Sequence, residues 1–317
     1  MPLAPVCVEL TAQDGVHSSR AGQPLPVLSS LDSLTPVMAH VAGLGLGPPP
    51  VFIIDAQADS VAHYRQWHKG GRQFVVRADA APKVQALGEN LSLGAVADRI
   101  AGTLAFHGEV LYKGRKLRQY VGETPVILTR AARPHRVSPS RRGRKNLPGE
   151  PLALRLVVSE LRQDSGKVVT RWLLLTNLPA TVDASTVATW YLWRWRIEDC
   201  HKQLKGAGQQ VEDWQQESVA ALAKRLCVAL MSLALVWRLA RDASPEAADL
   251  RTVLVRLSGR QIKRGQGRRT FTESALLAGL GVLMPMLALL QETSPAQLLK
   301  LIHKVMPLWP LGRHDSG

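Results

Sequence analysis

The run Val51-Phe52-Ile53-Ile54-Asp55, followed one helix length later by Gln73-Phe74-Val75-Val76-Arg77, restricts the possible folds of this chain more than any other feature. Four consecutive apolar residues predict a short strand packed on both faces. The segment from about Ser60 to Lys69 reads as a helix between two strands. Strand, helix and strand of this length form a parallel crossover, which places the chain in the α/β class. Asp55 then ends the first strand on its C-terminal side, where open α/β sheets gather ligands. A helix cap is the competing role for Asp55, but Asp59, four residues on, suits that role better.

The surrounding sequence is organised in blocks. Residues 3–30 read as short strands, with Val6–Leu10 apolar and Gln13-Asp14-Gly15 offering a hairpin turn. Leu34, Val37, Met38 and Val41 mark a short helix, and a Gly/Pro-rich connector runs from Gly43 to Pro50. Residues 100–178 are rich in alternating and β-branched residues, with turns at Tyr112-Lys113-Gly114 and Asp164-Ser165-Gly166, and predict antiparallel β structure. Within them, Arg130 to Lys145 is strongly basic, the composition of an exposed loop or of a contact to a polyanion backbone. From Glu217 onward the pattern is helical, broken at Ser244-Pro245, at Lys263 to Arg269 and at Ser294-Pro295.

Forty Lys plus Arg stand against 25 Asp plus Glu, a net charge of +15 that favours a nucleic-acid partner. Three dispersed cysteines, Cys7, Cys200 and Cys227, suggest neither a disulfide framework nor a cysteine zinc site, and fit a reducing cytoplasm. The apolar runs Leu226–Trp237 and Ala275–Leu290 are shorter than a bilayer span, and the second is expected to be a buried helix, with no membrane partner. No Walker loop, Gly-x-Ser-x-Gly or His-Glu-x-x-His motif is present.

The segment Tyr-Leu-Trp-Arg-Trp-Arg-Ile-Glu-Asp-Cys-His-Lys-Gln-Leu-Lys, residues 191–205, carries the densest chemistry. Read as one helix capped by Asp183 or Ser185 and ended by Gly206 or Gly208, it places Tyr191, Arg194, Glu198 and Lys205 within an arc of about 60°. Trp190, Trp193, Ile197 and Leu204 form a separate apolar stripe suited to packing. An intrahelical Arg194–Glu198 pair, worth only about 0.2–0.5 kcal/mol, would leave Tyr191 and Lys205 unexplained.

The spacing Tyr-x2-Arg-x3-Glu-x6-Lys resembles the signature of bacterial DDE transposases of the insertion-sequence-four family, and the resemblance extends from Val51 to about Gly206. It implies a ribonuclease-H-like mixed sheet with a β-rich insertion and a helical C-terminal region. Residues 1–80 would form the first part of the core, 81–180 the insertion, 181–215 the catalytic helix and 216–317 the helical region. It also implies metal-dependent cleavage and strand transfer at insertion-sequence ends, with Asp55 and Glu198 as ligands of Mg²⁺ or Mn²⁺. Tyr191, Arg194, Lys205 and Arg77 would hold DNA phosphates. Trp172, within Arg171–Thr176, would stack on a flipped base or else pack in the sheet.

Implied partners are double-stranded DNA, at transposon ends and target, and a second copy in a homodimer formed through the C-terminal helices. The expected location is the bacterial cytoplasm, with the nucleoid. The family's first aspartate belongs on the strand opening the sheet, and the opening residues resemble its second and third strands. The expectation is an N-terminally truncated transposase with impaired cleavage, or alternatively a non-catalytic DNA-binding remnant or inhibitor. Asp14 and Asp32 match the missing residue by type only, since a turn and a helix cap account for them.

Overall fold

A computed structural model describes residues 5–29, 31–56, 60–132, 149–206, 209–260 and 271–305. Asp59, Gly208, the Lys263–Arg269 turn and residues 133–145 of the basic stretch lie outside the described residues. The chain divides into two compact units, one built mainly from residues 20–195 and the other from the first dozen residues together with residues 196–317.

The larger unit is a sheet clad on both faces. After the paired short strands β1 (Glu9–Ala12) and β2 (Gly15–Ser18), its strands are β3 (Val51–Ile54), β4 (Gln73–Ala78), β5 (Lys83–Ala86), β6 (Glu89–Ser92), β7 (Ala105–Tyr112), β8 (Arg115–Leu128), β9 (Leu152–Arg162) and β10 (Val168–Thr176). They form one eight-stranded mixed sheet in the order β3-β4-β10-β9-β8-β5-β6, with β7 paired to β8. Strand β3 runs parallel to β4, with Ile54 opposite Val76, and helix α2 (Val61–Lys69) is the crossover between them. The β7–β10 block is antiparallel throughout, as its alternation predicts.

Side-chain alternation sorts the two faces. Phe74, Val76, Leu156, Val158, Leu173 and Leu175 face one core, covered by α1 (Leu34–Gly43), α2 and α3 (Leu93–Ile100) through Met38, Tyr64, Trp67, Leu93 and Val96. Val75, Leu117, Val121, Val157, Leu161, Trp172 and Leu174 face the other, covered by α4 (Ala184–Trp193) through Val187, Ala188 and Tyr191. Strand β3 feeds both cores, Phe52 and Ile54 one and Val51 and Ile53 the other. All four of its residues are nevertheless only half-buried. Its place at the end of the strand order explains this departure from the fully buried strand expected.

The second unit contains α5 (Arg196–Lys205), α6 (Val219–Arg241), α7 (Pro245–Leu257), α8 (Glu273–Glu292) and α9 (Pro295–Val305). Leu204, Leu230, Leu233, Trp237, Leu254 and Leu276 form its core. Helix α8 lies so close to α7 that a Cβ on Gly279 would overlap the Leu254 carbonyl oxygen, so only glycine fits there. Two expectations change here. Helix α6 continues past Arg225 and Arg238 to 23 residues, and α8 reaches 20, so both are long and apolar enough, by length and composition alone, to cross a membrane. Nor is α8 a buried helix: Met284, Met286, Leu287 and Leu290 on its C-terminal half are exposed, because only its N-terminal half contributes buried residues.

Candidate functional site

The sheet unit gathers four of the sequence-selected residues. Asp55 follows β3 one step beyond the Ile54–Val76 pair, and Arg77 is the next residue of β4. Alternation projects both toward the α4 face. Tyr191 lies on α4 and Arg194 just past its end. The Arg194 guanidinium is 3.2 Å from Asp55 Oδ2, with the arginine side chain 12% and the aspartate 45% exposed. The other Asp55 oxygen accepts the Ala56 backbone N–H at 2.6 Å. Tyr191 is 1% exposed, with the Arg194 guanidinium carbon 5.8 Å from its ring centre.

The electrostatics of this cluster favour an anion. Two guanidiniums, Arg194 and Arg77, and one carboxylate, Asp55, bear on Tyr191, so these four residues together carry net positive charge. Burial raises the Tyr191 pKa, and Asp55 adds to that, while Arg194 and Arg77 oppose it. The phenol therefore stays protonated at neutral pH and is available as a donor. Its oxygen is buried, and no described residue meets hydrogen-bond geometry with it, although Arg77 is close enough to bear on its ionisation. A buried hydroxyl without a partner is costly, and a phosphate oxygen would satisfy it.

Trp172 forms the wall behind Tyr191. It is 2% exposed, in edge contact with Tyr191 at 5.3 Å and with Tyr112 at 5.8 Å between ring centres. Base stacking on Trp172 would require one of these rings to move. The packing role considered for it in the sequence accounts for its position here. Tyr112 also meets Trp195 edge-on at 5.5 Å. That contact links the β7–β8 hairpin to the Arg194 end of α4, a connection without any trace in sequence spacing.

The single catalytic helix expected from sequence is instead two. Of the two cap candidates Asp183 and Ser185, Asp183 caps α4, accepting the Thr186 backbone N–H at 2.7 Å, and hydrogen bonds from the Ser185 hydroxyl and from Thr186 lower its pKa to about 2. At Arg194 and Trp195 the bonding tightens to Arg194 N–H to Tyr191 O and Trp195 N–H to Leu192 O, and α5 starts afresh at Arg196. No Gly or Pro marks the break. Tertiary contacts of Arg194 with Asp55 and of Trp195 with Tyr112 outweigh propensity differences of a few tenths of a kcal/mol. The expectation of one unbroken helix from Asp183 to Gly206 is thereby corrected to two, α4 and α5. The apolar stripe divides as well, since Trp193 and Ile197 are 55% and 50% exposed while Leu204 is buried.

Glu198 and Lys205 lie on α5, in the helical unit. Glu198 and Asp199 occupy the first turn, where the helix dipole favours carboxylates. Lys205 Nζ is 2.6 Å from Glu212 Oε1. Gln203 is buried between Trp237, whose Nε1–H it accepts at 3.1 Å, and Glu273, to which it donates at 2.6 Å. Glu212 and Gln203 were not anticipated. Each sits on a helix or turn where sequence alone suggests an ordinary polar residue.

A carboxylate oxygen at a strand end suits a hard divalent cation, so Asp55 is chemically fit to be one ligand arm. Among the described residues no group of three or more His, Cys, Asp or Glu comes together. Asp32, a candidate by type, is engaged by Ser29 at 2.7 Å and by His63 at 3.0 Å.

No curated protein matches the chain. Residues 3–235, well over half of it, match the family model of the transposase DDE domain. With that match, the mixed sheet and helical C-terminal region correspond to the ribonuclease-H-like α/β class expected from sequence. The chain thus belongs to the transposase DDE domain family.

Proposed function

We propose that the chain is a DNA transposase core of the insertion-sequence-four type, acting in the cytoplasm on transposon ends and target DNA, with a second copy as partner. The observation that carries this reading is the cluster of Asp55, Arg77, Tyr191 and Arg194, net cationic and with a buried phenol oxygen open to an acceptor. Arg77 and Arg194 hold phosphate oxygens by charge-assisted hydrogen bonds, and Tyr191 donates its O–H to another. Lys205 adds a further cation. Asp55 and Glu198 serve as carboxylate ligands for Mg²⁺ or Mn²⁺. A bound divalent ion supplies Lewis-acid activation of the attacking oxygen and charge for the leaving one.

Asp55 has a second task. In the protein without DNA it neutralises Arg194, so the guanidinium is held in place before a phosphate arrives. Trp172, itself backed by Tyr112, keeps the Tyr191 ring from turning away.

The test is cleavage of end-sequence DNA by the purified chain with Mg²⁺ or Mn²⁺, compared with Asp55→Asn and Glu198→Gln. Metal-dependent product that falls at least about a thousandfold in either variant, the equivalent of about 4 kcal/mol of transition-state stabilisation, supports the ligand assignment and replaces the impaired cleavage expected from the sequence with an active chain. DNA binding without metal-dependent product would support the non-catalytic reading in its place. Equal cleavage by wild type and both variants would overturn the ligand assignment.

A further inference from the structure

The β7–β8 hairpin ends in Lys113-Gly114, both with left-handed backbone, φ 49° and 76°. This is the two-residue turn that favours Asn-Gly. A lysine at the first position adopts a conformation that costs most side chains energy. Leu87 does the same at the β5–β6 turn, with φ 53°, so strain alone assigns nothing. What sets Lys113 apart is its surroundings. Its Nζ lies 5.5 Å from the Tyr112 ring centre and 5.6 Å from that of Trp195. The Arg194 guanidinium lies over the same Trp195 ring, also at 5.6 Å.

Trp195 therefore has a cation from the hairpin tip and a cation from the end of α4. One of the two, Arg194, is paired with Asp55. Lys113 is exposed and has no carboxylate within ion-pair distance among the described residues. Lys116, three residues along the same hairpin, contrasts with it: its ammonium is held by Glu109 at 2.6 Å. An exposed ammonium resting only on aromatic faces keeps its charge for a further anion.

We propose that Lys113 is a DNA-phosphate contact, and that the β7–β8 hairpin tip is a second arm of the DNA-holding surface, bound to the Asp55–Arg194 cluster through Tyr112 and Trp195. The inference rests on the transposase reading, because it takes the anion to be a DNA backbone phosphate. Tyr112 has contacts on both sides, Trp172 toward the core and Trp195 toward Arg194, so the tip is braced against the cluster. The contact is to backbone charge and is blind to base sequence.

The experiment measures binding of the full chain to a blunt duplex of arbitrary sequence, without divalent metal, across a salt series. Wild type is compared with Lys113→Asn and Lys116→Asn, and the melting midpoint of each is recorded. Asparagine suits the left-handed turn, so Lys113→Asn should melt at or above the wild-type midpoint. Its slope of log affinity against log salt should be shallower by about 0.9, the loss of one phosphate contact. Lys116→Asn should keep the wild-type slope. An unchanged slope in Lys113→Asn, or equal changes in both variants, would overturn the proposal while wild-type binding leaves the transposase reading intact. Absence of binding by folded wild type would overturn the reading itself.

Discussion

The two units hold their functional side chains by different means. In the sheet unit, Tyr191 and Arg194 are set by burial: an edge-to-face aromatic chain of Tyr191, Trp172, Tyr112 and Trp195 supports them from behind. In the helical unit, α5 is fixed chiefly by a polar clamp at Gln203 and by the apolar Leu204, while Lys205 is paired on the surface. Buried aromatic support is stiff and expensive to disturb. An exposed ion pair is cheap to exchange, which is what a residue must be if its partner is to become a phosphate.

The largest effect should come from breaking the aromatic support. Trp172→Ala removes a fully buried ring between two core partners and should destabilise the protein by about 3–5 kcal/mol. Chemical denaturation of the variant measures this directly. If Trp172 were mainly a base platform, the variant would retain wild-type stability and lose only DNA binding. That outcome would place the sheet unit's support elsewhere.

A smaller loss is expected from the polar clamp. Gln203→Leu leaves the buried Trp237 Nε1–H without its acceptor and Glu273 without its donor, a cost of about 1–3 kcal/mol. The near-ultraviolet signal of Trp237 should change with it. Full stability in this variant would mean that Leu204 alone seats α5, and the contrast between aromatic and polar support would disappear.

Sequence periodicity revealed the parts of this molecule that depend on local pattern. The apolar run of β3, the crossover helix α2, the Gly-containing hairpin turns and the Asp183 cap all appear where spacing placed them. Asp55, Arg77, Tyr191 and Arg194 could be chosen together because a motif and a strand end pointed to them, and the sheet brings them to one face. What escaped depends on contacts distant in sequence. The break at Arg194–Trp195 lacks any breaker residue, and it follows from Tyr112, more than eighty positions earlier, packing on Trp195. Lys113 read as part of a turn because its partners are rings from another element. Gln203 looked like a surface glutamine on a polar helix, since nothing local announces Trp237 and Glu273.

The smallest expected effect on folding, and the most informative about function, belongs to Glu212. Its pair with Lys205 joins two exposed side chains, 60% and 66% accessible, and Glu212 raises the Lys205 pKa mainly by hydrogen bonding to it. The lysine is cationic at neutral pH with or without this help, so Glu212→Gln leaves its charge unaltered. The variant should melt at the wild-type midpoint, because exposed pairs contribute little to stability. It should bind duplex DNA more tightly, with the gain shrinking as salt rises, because a carboxylate no longer competes with phosphate for the Lys205 ammonium. The double variant Glu212→Gln with Lys205→Gln should lose that gain. If Glu212→Gln still binds more tightly without Lys205, removal of one negative charge from the surface explains the effect, and Lys205 is no specific DNA contact. If the gain requires Lys205, the exposed pair of the helical unit is an exchangeable one, and the contrast with the rigidly supported Arg194 holds.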